Sequence, residues 1–158
     1  MKANGFTLAE MVAVIAILMV LSILSAPFVK SYIDDSYNGK AQIFLRQLYE
    51  ARRNFEKDFP GTTVTGEFKF EADGKCELET IYGHNNIVSP EMLVNCNYVK
   101  IPTDLQGRYS FALGDAATCS SCKKSLASML GEDNAGAYKD KCACADEFGE
   151  FRRENPSN

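Results

Sequence analysis

Residues 5–29 read GFTLAEMVAVIAILMVLSILSAPFV. The run from Phe6 to Val29 carries one charge, Glu10. At 1.5 Å of rise per residue a helix of this length crosses a bilayer core of about 30 Å. A carboxylate at membrane depth costs about 2.5–3.5 kcal/mol on insertion scales, so Glu10 requires a partner. An ordinary transmembrane anchor explains the length and supplies no such partner. A secretory signal peptide fits poorly. Lys2 is the only basic residue ahead of the run, Pro27 follows Ala26, and Leu24 is too large for the upstream position of a small-x-small cleavage site.

A third reading supplies the partner. The stretch Gly5-Phe6-Thr7-Leu8-Ala9-Glu10 resembles the type III signal of type IV prepilins. The resemblance implies that a membrane peptidase cuts between Gly5 and Phe6 on the cytoplasmic side and methylates the new Phe6 amine. The apolar run then stays in the mature chain, with Glu10 as its fifth residue, where the family carries a glutamate. A new α-amine has a reference pKa of about 7.7–8.0 and is cationic at neutral pH. Glu10 of one subunit is thereby expected to pair with the Phe6 amine of a neighbour. Such pairing offsets the burial of two charges, either of which would be strongly unfavourable alone. Pro27 falls where many family members carry a helix-kinking proline. It has no N–H to give the Ile23 carbonyl, so a bend or local melting is expected there, or simply a marker of the membrane exit. Met19 stands where the family often has glycine.

Beyond the apolar run, Ile33, Tyr37, Ala41, Phe44, Leu48, Ala51 and Phe55 recur at steps of three and four and predict one apolar face of a helix. Lys40, Gln42, Arg46, Gln47, Glu50 and Arg53 occupy the other faces, Gly39 weakens the pattern, and Pro60-Gly61 closes it. A continuous helix from Phe6 to Asp58 would be about 80 Å long. Glu67-Phe68-Lys69-Phe70-Glu71 then alternates as a strand. Asp73-Gly74 signals a turn into a partner strand through Cys76, Leu78 and Thr80. Met92–Val99 is ambiguous, and Arg108–Leu113 alternates Tyr109, Phe111 and Leu113 as a strand. The expected fold class is α+β: a long N-terminal helix packed on a small antiparallel sheet of three or four strands, with a cysteine-rich C-terminal region. The expected divisions are a leader at 1–5, a transmembrane and polymerisation helix at 6–29, a stalk helix at 30–60, a sheet head at 61–118 and a cysteine-rich region at 119–158.

Six cysteines in 158 residues are unusual for a reducing cytosol. Beyond a membrane segment an even count favours disulfides. Cys76–Cys96 is one candidate pair, and Cys119 and Cys122 with Cys142 and Cys144 form a second set. The latter four also offer a zinc reading, although one residue between Cys142 and Cys144 is a less typical spacing. Cys119-Ser-Ser-Cys122 has the spacing of a thiol-redox centre, without the strand-to-helix context such centres use.

A net charge of −4 with scattered basic residues gives no nucleic-acid footprint. One histidine, His84, no Gly-rich phosphate loop and no credibly paired carboxylates argue against an enzyme. The acidic runs Glu132-Asp133-Asn134 and Asp146-Glu147 contain oxygen donors of the kind calcium takes, yet they read first as solvated loops. The resemblance implies a pilin, minor pilin or pseudopilin of a type IV pilus or type II secretion system, structural and without cofactor. Its implied partners are other pilin subunits, prepilin peptidase, an assembly platform and an ATPase. Its implied place is the inner membrane with the head outside, then a pilus or periplasmic pseudopilus. The rival from another class is a membrane-tethered zinc or thiol-redox module.

Overall fold

The computed structural model describes residues 7–72, 74–76, 87–114 and 127–145, together with the backbone of 151–154. One helix, α1, runs from Leu8 to Asp58, 51 residues without interruption through Pro27 and Gly39. Its two halves obey different rules. Before residue 34 every described side chain is exposed. From Asp34 onward one face is buried: Asp34, Asn38, Ala41, Phe44, Leu45, Leu48, Ala51, Arg52 and Phe55. The helix ends where the chain predicts. Phe59, restricted by the following Pro60, leaves the helical region at φ −123°, and its N–H still donates to the Phe55 carbonyl at 2.9 Å. Gly61 takes the left-handed φ of 91° that turns the chain back.

Two short strands, β1 (Thr63–Val64) and β3 (Ile87–Val88), pair in parallel. Between them β2 (Gly66–Phe68) joins a different sheet. A short helix α2 (Glu91–Asn95) and a 3-10 turn (Thr103–Leu105) lead to β4 (Tyr109–Leu113). The main sheet is completed by β5 (Ala127–Gly131), β6 (Cys142–Ala145) and β7 (Phe151–Glu154), in the order β2-β4-β5-β6-β7 and antiparallel throughout. The architecture is therefore α+β, a long N-terminal helix on a small antiparallel sheet.

Phe44 of α1 meets Phe68 of β2 and Phe111 of β4 edge-on, with ring centroids 5.4 and 4.8 Å apart. Such contacts add about 0.5–1.5 kcal/mol each beyond area burial. A polar brace holds the far end. Buried Arg52 donates from Nε to Glu56 at 2.8 Å and from Nη1 to the Gly114 carbonyl, while Glu56 accepts the Val64 N–H at 3.1 Å. The brace ties the helix to β1 and to the chain just beyond β4, and it satisfies the buried guanidinium.

Two sequence expectations change. The strand expected over Glu67–Glu71 is short, Gly66–Phe68, and among the described residues it pairs with β4. The Lys69 N–H is taken by the Glu91 carboxylate at 2.9 Å instead of a neighbouring strand. Leu78 and Thr80 lie outside the described residues. The ambiguous Met92–Val99 stretch begins as α2, and the sheet extends past residue 118, drawing β5, β6 and β7 from the expected cysteine-rich region.

Candidate processing and assembly site

The start of α1 is built around Thr7 and Glu10. Thr7 is the N-cap, with extended backbone at φ −78° and ψ 153°. Its hydroxyl oxygen accepts the Glu10 N–H at 3.3 Å, and the Glu10 carboxylate accepts the Thr7 N–H at 2.8 Å. These two bonds make a reciprocal capping box. The Thr7 hydroxyl also donates to the same Glu10 Oε2 at 2.8 Å. The acidic side chain thus sits in the first turn, where the helix dipole favours negative charge. The Thr-x-x-Glu spacing carries this signal in the sequence, although a reading centred on an intermolecular partner passes over it.

Downstream, the span manages its few polar groups internally. The Ser22 hydroxyl donates to the Leu18 carbonyl at 2.7 Å and the Ser25 hydroxyl to the Ser22 carbonyl at 3.0 Å. A hydroxyl in hydrocarbon needs such a bond, and the helix's own carbonyls supply it. Pro27 lies within α1, which continues beyond it as helix. Gly5 and Phe6, the residues flanking the expected cut, lie outside the described residues.

Where α1 meets the head, two consecutive aspartates hold the β5–β6 connection. Asp34 is buried and its Oδ2 accepts the Ala137 N–H at 3.3 Å, while Asp35 Oδ1 accepts the Tyr138 hydroxyl at 2.6 Å. The Arg108 guanidinium lies 4.0 Å from the Tyr37 ring centroid, and Lys40 pairs with Asp104 at 2.8 Å. The Lys40 ammonium holds the Asp104 carboxyl below its ordinary range, chiefly through that hydrogen bond. The apolar periodicity places Ile33 on the inner face. In the structure Ile33 is exposed and Asp34 takes the inward position, because the polar β5–β6 connection, not the apolar sheet, covers this part of the helix.

Cys76 and Cys96 are joined by a disulfide that links the turn after β2 to the end of α2. Cys142 and Cys144 of β6 are buried and disulfide-bonded. Cys119 and Cys122 lie outside the described residues, as do His84, Asp146 and Glu147. A zinc site at Cys142 and Cys144 would require those bridges to be open, since the metal takes thiolates. Among the described residues no group of three or more His, Cys, Asp or Glu side chains is placed to hold a metal ion. The acidic run at 132–134 is engaged locally: Asp133 pairs with Lys139 at 2.7 Å, and the Asn134 amide donates to the Gly107 carbonyl at 3.2 Å.

The features together define a helix-anchored α+β protein. Among the described residues α1 is the one helix long and apolar enough to cross a membrane. Residues 1–26 match the prokaryotic N-terminal methylation motif, the signature of type IV pilin-like prepilins. No curated protein and no solved structure matches the chain. The motif supports a pilin-like or pseudopilin precursor, a structural subunit, and with the apolar helix it fits a single-pass inner-membrane anchor.

Proposed function

We propose that this chain is a subunit of a type IV pilus or a type II secretion pseudopilus, cut between Gly5 and Phe6 and methylated on the Phe6 amine. The observation that carries the reading is the methylation motif at the head of a helix whose first half has no cover among the described residues. An apolar surface of that extent is stable in lipid or against other copies of itself. In the membrane the head lies outside, where disulfides persist. In the filament the helices bundle and the heads tile the exterior. Glu10 exchanges its capping bonds for, or shares them with, the methylated amine of a neighbour. Staggered docking satisfies both charges, and any other register leaves one orphaned. Prepilin peptidase, an assembly platform and an ATPase are the implied partners.

Intact-mass and N-terminal analysis of protein purified from a host expressing prepilin peptidase tests the reading. N-methylphenylalanine at position 6 is expected, and retention of residues 1–5 defeats it. Glu10→Leu is expected to insert in the membrane normally and to abolish filaments. Wild-type filament yield from that variant removes the charge-pairing role.

A further inference from the structure

The β5–β6 connection packs on α1 just beyond the end of the apolar run, and an open cleft lies between the two. It has a volume of about 630 Å³, within the range of small-molecule sites. Ala26, Val29 and Ile33 line it on the helix side, continuous with the exposed apolar surface of the first half of α1. Two cations and two carboxylates complete the lining: Lys30, Arg108, Asp34 and Asp133. Lys30 is exposed and forms no ion pair among the described residues. Arg108 donates from Nη1 to the Asn134 carbonyl at 2.9 Å, which holds its guanidinium at the cleft wall. Asp133 gives one oxygen to Lys139, but that pair is exposed and therefore weak, and it does not saturate the carboxylate.

The level of the cleft along the helix matters. With Val29, the last residue of the apolar run, at the hydrocarbon edge, Asp34 stands about 7.5 Å higher along the axis. The headgroup layer of one leaflet is about 5–8 Å thick, the bilayer's excess over its hydrocarbon core shared between two faces. The cleft therefore spans the headgroup layer, with Lys30 near its base and the β5–β6 connection near its top. Phe28 lies on the opposite side of the helix, about 140–160° around the axis from Ala26, Lys30 and Ile33, and is exposed. An aromatic side chain at that level faces ordinary interfacial lipid.

We infer that the cleft holds the headgroup of a phospholipid bearing both a phosphate and an ammonium group, with Lys30 facing the phosphate, Asp133 facing the ammonium and an acyl chain lying along Ala26 and Val29. The inference rests on the membrane-anchor reading and adds a specific lipid to it. Charge balance selects the headgroup. The lining carries as many carboxylates as cations, so a ligand of zero net charge with its two charges separated meets opposite charge at both ends. A headgroup with a phosphate and no amine would satisfy Lys30 and leave Asp133 and Asp34 facing like charge. The apolar wall selects a lipid over a free phosphate compound, because Ala26 and Val29 are covered only if an acyl chain follows the headgroup in.

The test uses the full-length chain in vesicles of equal parts phosphatidylethanolamine and phosphatidylglycerol, with bromine on the upper acyl carbons of one lipid at a time. The chain contains no tryptophan, so Val29→Trp places a single fluorescent reporter in the cleft and Phe28→Trp places one on the opposite side. Brominated phosphatidylethanolamine is expected to quench position 29 about twofold or more above brominated phosphatidylglycerol, the discrimination that exposed charged contacts support. Position 28 is expected to be quenched equally by both. Lys30→Glu and Asp133→Asn, each added to the Val29→Trp chain, are expected to erase the preference without lowering the melting temperature in detergent. Equal quenching at position 29, a preference for phosphatidylglycerol, the same preference at position 28, or a preference that survives both charge changes overturns the assignment. So does a position 29 shielded from both lipids while position 28 is quenched, since a protein then fills the cleft. If neither lipid quenches either position, α1 does not lie in the bilayer and the anchor reading falls with the lipid site.

Discussion

Asp34 and Gly136 are in such close contact that a Cβ built on Gly136 would lie 2.1 Å from the Asp34 Oδ2 atom. Gly136 also has φ 61° and ψ −120°, a backbone conformation that only glycine adopts without strain. Gly136→Ala is therefore expected to cost about 3 kcal/mol or more, as strain and overpacking combine. Thermal unfolding of the full chain in detergent reads the loss. Asp34→Ala placed in the same chain relieves the overlap and leaves the strain, so partial recovery is expected.

Tyr109 presents the opposite case. Its ring is buried under the sheet and its hydroxyl has no hydrogen-bond partner among the described residues. A buried unpaired hydroxyl costs about 1–3 kcal/mol. Tyr109→Phe removes the penalty and keeps the ring, and a small rise in stability of about 1 kcal/mol is expected. A fall of similar size in the denaturation midpoint would show that the hydroxyl is satisfied in solution.

Alkaline titration should find Tyr98 and Tyr109 above the ordinary phenol range. Burial pushes the Tyr109 phenol up to about 12, and the hydrogen bond from Tyr98 to Asp58, 2.5 Å long, pushes Tyr98 up to about 12. Both groups are held neutral by the fold above their unfolded value of about 10. Neither group's ionisation costs stability below pH 10, and stability falls as the pH climbs from there through about 12. Phenolate absorbance should show Tyr98 and Tyr109 ionising near 12, and Asp58→Asn should bring Tyr98 earlier.

The Cys76–Cys96 bridge closes a loop with a sequence separation of 20. Loop entropy assigns such a bridge about 3 kcal/mol. Replacing both cysteines by serine is expected to lower stability by about that amount and to free the segment around residue 76 from α2. Limited proteolysis should then cut there first, and an unchanged digestion pattern would show that the Glu91 and Asn95 contacts suffice.

Some of this architecture was legible because single physical signals dominated. The apolar run, the three-and-four stripe and Pro60 fixed α1 to its last residue, and Tyr109, Phe111 and Leu113 marked β4 by alternation. The strands β5 and β6 were not legible. Ala127–Gly131, Ala-Ser-Met-Leu-Gly, lacks β-branched and aromatic residues, and Cys142–Ala145 is built of small residues buried at every position, which leaves no alternation to read. The pairing of β2 with β4 was hidden because a Gly-containing turn after alternating residues suggests a local hairpin, whereas Glu91 and Asn95 of α2 capture that turn. Asp34 on an inner face is a tertiary choice that no local pattern announces. Of the candidate site, Glu10 stood out by its cost in lipid, and Thr7 did not, because a threonine before an apolar run is unremarkable until its bonds are seen.

The packing of α1 against β5 and the β5–β6 connection has a consequence for biosynthesis. Residues that form one half of the core, from Ala41 to Phe55, leave the ribosome long before their complements at Ala127, Met129 and Ala143. The greasy stripe of the stalk therefore stays uncovered until nearly ninety further residues have been made. The helix is made first and the core closes second, so any agent that shields an uncovered helix acts in the interval between them.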